Sequence, residues 1–150
     1  MLTHLSSPGC LAFALIPLTV VLSSRDNIFS LITGISYQNF NFLHRWVGRW
    51  IFIFSFVHTL LWSVELGIIY QPQPKRYILS WKKRYFKWGV GAFALLTYLL
   101  IHSFATVRRR TGYEFFRKTH EFVALLFMGA CWGHWPELRE CKLQYPCSSG

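Results

Sequence analysis

The stretch Leu43-His44-Arg45-Trp46-Val47-Gly48-Arg49, leading into the uncharged run from Trp50 to Val64 that holds His58, decides the fold. Its two histidines are 14 residues apart, and the same interval separates His120 from His134 in a later apolar segment. Fourteen residues make just under four turns of α-helix, so the two rings of a pair fall within about 40° of one face. They lie roughly 21 Å apart along the axis. Two helices carrying such pairs can hold two stacked metal centres across a membrane, one near each leaflet.

Composition places these helices in lipid. Of the 150 residues, 53% are hydrophobic and only 15% charged, with positive mean hydropathy, which is unusual for a soluble domain of this length. Trp88 to Val107 is a twenty-residue uncharged run, long enough to cross a hydrocarbon core as a helix. The net charge is +10, and most of the basic residues cluster in the segments between apolar runs, Lys75 to Lys87 and Arg108 to Lys118. That placement fits loops meeting phospholipid headgroups far better than a nucleic-acid-binding face. Cys10, Cys131, Cys141 and Cys147 show no zinc-ligand spacing; Cys131 reads as a small packed helix residue, and Cys141 and Cys147 in the polar tail would pair only if the tail faces an oxidising compartment. No basic residue precedes the first apolar run, so no cleavable signal peptide is expected.

The chain reads as an all-α integral membrane bundle of about four spans: Cys10 to Ser24, Asn41 to Tyr70, Phe86 to Val107, and Tyr113 to Trp135, with Pro136 as terminator. Residues 1–9 form a polar N-terminus, 10–135 the membrane domain and 136–150 an irregular tail. One span separates the two histidine helices, so they cross in the same direction. His44 then shares a leaflet with His120, and His58 shares the other with His134.

The chemistry that suits this pattern is haem. An iron porphyrin with two axial imidazoles needs one histidine from each side and apolar walls for its flat face. A zinc or copper site needs three or four ligands at one point, whereas each level here offers two histidines and the carboxylates Glu65 and Glu121 lie near span ends. His4 and His102 have no partner at matching spacing and are read as structural. Gly48 and Gly129 lie close to the ligand face, where a porphyrin approaches the backbone or helices simply pack closely. Phe127, midway between His120 and His134, is placed to fill the gap between haems. Arg45 and Arg49, near one membrane surface, suit either haem propionates or lipid headgroups.

At this point the residues resemble a known family. Arg25-Asp26-Asn27, Gly34-Ile35-Ser36-Tyr37, the His44-Arg45-Trp46-Val47-Gly48-Arg49 run and His58 are similar to the fungal ferric reductases. Tyr113-Glu114, Phe116, His120 and Gly133-His134-Trp135 are similar to the same family's second ligand helix. The resemblance implies a plasma-membrane metalloreductase in which NADPH reduces FAD and electrons pass through two b-type haems to ferric or cupric ions outside. It implies His44 with His120 at the cytosolic-side haem and His58 with His134 at the outer one. It also implies a flavoprotein dehydrogenase as electron source, which this sequence does not resemble anywhere. The chain is therefore expected to be the haem core of such a reductase, cut at both ends. The alternatives are a superoxide-forming NADPH oxidase core, which shares the two-haem arrangement, and a non-enzymatic haem-binding fragment. Basic residues divide eight against eight between the two sides, so orientation follows from the resemblance.

Overall fold

The computed structural model describes residues 7–24, 32–34, 36–69, 78 and 81–143, excluding the side chains of residues 7, 37, 69 and 136–143. Among the described residues every regular element is helical. The elements are α1 (Ser7–Ser23), α2 (Tyr37–Val64), a π-helical turn (Glu65–Ile69), α3 (Arg84–Ser103), α4 (Ala105–Thr111) and α5 (Tyr113–Leu143). His4, the Lys75 and Arg76 part of the basic loop, and the Cys141–Cys147 pairing lie outside the described residues. The chain divides into two compact units, Met1–Val64 and Glu65–Gly150.

In the first unit α1 packs against α2. Thr19 of α1 meets His44 and Gly9 meets His58, so the two helices run antiparallel. Pro17 sits inside α1 and removes one intrahelical hydrogen bond. At the end of α1, Ser23 and Ser24 donate their hydroxyls to the carbonyls of Val20 and Val21 and so satisfy carbonyls that a helix terminus leaves open. On α2 the residues His44, Val47, Ile51 and His58 share one stripe, of which Val47 and Ile51 are buried. The stripe Leu43, Trp46, Trp50, Ile53, Val57, Leu60 and Val64 is exposed. A row of large apolar side chains of this length matches lipid and not water.

Helix Gln38–Ile68 is long and apolar enough to cross a membrane, and only 17% of its apolar window is buried. That low burial separates it from the core helix of a soluble protein. α3 and α4 pass the same test together but bend by 80° at Phe104. The third span is thus straight only to Ser103, and residues 104–107, expected within it, lie at and beyond the bend. The backbone N–H of Phe104 bonds Ile101 O and Ser103 Oγ bonds Leu100 O, which closes α3 before α4 starts in a new direction. α1 is a shorter apolar helix.

In the second unit α3 packs antiparallel against α5, with Gly89 beside His134 and His102 beside Phe116. Ala92, Leu96, Leu99 and His102 form the buried face of α3, and Val123, Phe127 and Ala130 that of α5. Gly112, at φ 86°, joins α4 to α5 in a conformation that L side chains rarely adopt. α5 continues through Pro136 to Leu143, where an irregular tail from residue 136 was expected. A proline removes one N–H and crowds the carbonyl four residues back, which kinks a helix without always ending it.

Candidate haem-ligand site

Both histidine pairs lie on unbroken α-helix, His44 and His58 on α2 and His120 and His134 on α5. At 1.5 Å per residue the members of each pair are therefore roughly 21 Å apart. Midway between them a large side chain is buried in each case, Ile51 on α2 and Phe127 on α5.

His44 is half-buried, and its Nδ1 lies 2.9 Å from the backbone oxygen of Thr19. A carbonyl oxygen only accepts, so the bond requires the proton on Nδ1 and leaves the lone pair on Nε2. His134 repeats the arrangement, with Nδ1 2.8 Å from Tyr85 O. An Nδ1–H held by a carbonyl is the usual orienting contact of a metal-ligating histidine, fixing its tautomer and raising the basicity of Nε2.

His58 is half-buried against Gly9, where an added Cβ would lie 2.9 Å from its Nδ1. Trp62, one turn along α2, meets its ring edge-on at 6.5 Å. His120 is half-buried and tilted against Phe116, ring centroids 5.2 Å apart. Phe116 in turn lies almost coplanar in orientation with His102, at 5.7 Å and 6°.

The remaining expected residues separate by exposure. α2 begins at Tyr37, so Arg45 and Arg49 lie about two and three turns inside it. Both are exposed, and the Arg49 guanidinium sits 5.2 Å from the Trp46 ring. A Cβ on Gly48 or Gly129 would meet nothing within 4 Å. Among the described residues no three His, Cys, Asp or Glu side chains converge on a metal point. The donor set is therefore single imidazoles on apolar helices, which fits axial haem ligation and not a tetrahedral site.

Sequence reasoning missed the Thr19 and Tyr85 carbonyls, the glycines beneath His58 and His134, and the buried position of His102 among aromatics. Backbone acceptors carry no sequence signature. For His102, a weak signal existed in Tyr98 one turn earlier, which stacks on it at 5.3 Å.

Comparison with known proteins places the chain in a family. The family model "Ferric reductase like transmembrane component" matches residues 8–131, taking in His44, His58 and His120 and stopping three residues before His134. "Ferric reductase transmembrane component 6" of Saccharomyces cerevisiae is 35% identical over 126 residues, covering 84% of this chain and 17% of the relative. "Ferric/cupric reductase transmembrane component 2" of the same yeast is 33% identical with the same coverage. "Probable cell surface ferric reductase kap2" of Aspergillus oryzae is 32% identical over 134 residues, again with 84% and 17% coverage. The chain thus spans about a sixth of the length of these curated relatives. No solved structure matches it. With a match that covers both units, this integral membrane chain belongs to the ferric-reductase-like transmembrane family.

Proposed function

We propose that this chain is the electron-carrying membrane part of a plasma-membrane metalloreductase, conducting single electrons between two b-type haems toward ferric or cupric ions outside. His44 with His120 would hold one haem and His58 with His134 the other. The observation that carries the reading is the Nδ1–carbonyl bond of His44 and of His134, which leaves Nε2 of each ready to ligate. The equal 14-residue spacing supports the pairing, because two rigid macrocycles need matching separations on both helices.

Bound haem would supply one-electron redox chemistry with little rearrangement. The chain's own residues do the rest. Carbonyls of α1 and α3 orient the imidazoles, and the apolar faces of α2 and α5 exclude water. Ile51 and Phe127 occupy the heights midway between the ligands. Transfer to the metal ion at the outer edge would be outer-sphere and would need no nucleophile or general base. Electrons would originate from NADPH through FAD in a flavoprotein dehydrogenase, a reading supported by relatives named as ferric and ferric/cupric reductases. A relative named for the cell surface supports the location.

The test is purification in detergent after haem-replete expression. A low-spin Soret band, a sharp reduced α-band and two haems per chain are expected. The variant His58→Ala should retain one haem; absence of haem from the unmutated chain, or two haems retained by the variant, would overturn the assignment.

A further inference from the structure

α3 and α5 meet through a reciprocal exchange of rings and glycines. Trp88 of α3 lies on Gly133 of α5, where an added Cβ would be 2.8 Å from the indole Cδ2. The neighbouring residue on each helix reverses the roles: His134 of α5 lies on Gly89 of α3, where a Cβ would be 2.9 Å from the imidazole Cε1. Real Cβ atoms essentially never show contacts below 3.0 Å, so neither glycine accepts a side chain without displacing a ring.

The second contact has a consequence for chemistry. Tyr85, whose carbonyl accepts the His134 Nδ1–H at 2.8 Å, lies four residues before Gly89. In an α-helix the carbonyl of residue 85 is bonded by the N–H of residue 89, so a side chain at 89 stands beside that oxygen's free lone pair. Glycine there lets the imidazole lie on the helix backbone and reach the oxygen. Gly89 fixes where the ring sits, and the Tyr85 carbonyl fixes how it is turned. This is not general small-residue packing, because a Cβ on Gly91 of the same helix would meet nothing within 4 Å.

We propose that Gly89 is a positioning residue for the haem ligand His134, setting the plane of its imidazole through the Tyr85 carbonyl, with the Trp88–Gly133 contact locking the two helices in the register this requires. The proposal rests on the haem assignment of the preceding section. It predicts that a methyl group at residue 89 perturbs one haem and spares the other.

The experiment compares the unmutated chain with Gly89→Ala, Gly133→Ala and Gly91→Ala, all loaded with haem in detergent. Ferric low-spin EPR, potentiometric titration and haem dissociation are read for each. The g-anisotropy of a bis-imidazole ferric haem depends on the angle between its ligand planes, so it reports ring orientation directly. Gly89→Ala should change one of the two low-spin signals and release that haem about 10- to 100-fold faster, if the usual loss of metal affinity on removing an orienting partner is expressed in the dissociation rate. Gly133→Ala should move the same signal, and Gly91→Ala neither. Two unchanged signals in Gly89→Ala would overturn the inference while leaving the haem assignment standing. Equal loss of both haems in that variant, with Gly91→Ala intact, would assign Gly89 to helix packing alone and also overturn it. An unmutated chain that binds no haem removes the underlying assignment, and the inference with it.

Discussion

The helix pair α1–α2 and the helix pair α3–α5 hold their histidines with the same two devices, a glycine beneath a ring and a backbone carbonyl on Nδ1, but distribute them differently. In the first unit the carbonyl of Thr19 takes His44 and Gly9 takes His58, at opposite ends of the hairpin. In the second unit both devices act on His134, and the other histidine, His120, lies at the end of the aromatic series Tyr98, His102, Phe116. An imidazole fixed by contact and hydrogen bond together loses its rotational freedom. An imidazole set among aromatic rings is positioned in part by how those rings pack.

That difference is open to attack at three places, beyond the tests already given. The largest effect is expected at His102, buried at 6% exposure, whose Nδ1 has no hydrogen-bond partner among the described residues. Replacing it by Ala opens a cavity beside Phe116 and should lower stability by about 2–4 kcal/mol. His102→Phe keeps a ring there and should change stability by less than about 1.5 kcal/mol. Thermal denaturation in detergent compares the two, and equal losses in both variants would show that the ring stack contributes little. Next comes Gly9→Ala, which drives a methyl group into the His58 ring. One haem should dissociate about tenfold faster, while the component altered by His44→Ala keeps its rate. Equal rates for Gly9→Ala and the unmutated chain would break the parallel between the two glycines. The smallest effect belongs to Thr19→Ala. The hydroxyl of Thr19 bonds only Leu15 O within its own helix, while its backbone oxygen serves His44. Stability should change by about 1 kcal/mol or less and the haem spectra not at all. A shifted spectrum would mean that the side chain, not the carbonyl, orients His44.

Much of the framework was legible in the sequence because it is written in local periodicity. The apolar runs located the helices to within a few residues, apart from the C-terminal end of α5, and Val47, Ile51, Val123, Phe127 and Ala130 follow the spacing of the histidines they accompany. Boundaries set by backbone hydrogen bonding were harder to read. The run from Trp88 to Val107 has uniform composition, yet the chain bends at Phe104, where no side-chain signal marks the break. Pro136 carries a strong breaking signal, yet α5 runs past it to Leu143.

The sequence by itself determined that the chain is helical, that it faces lipid, and that its histidines come in two equally spaced pairs, since each of these depends only on the order of residue types along one helix. Tertiary structure alone decided what holds each ring. Gly89 and Gly91 are two residues apart on one helix and indistinguishable as letters; the crossing of α5 places an imidazole on the first and nothing on the second. The oxygens of Thr19 and Tyr85 belong to the backbone every residue shares, so only the packing of one helix on another could select them.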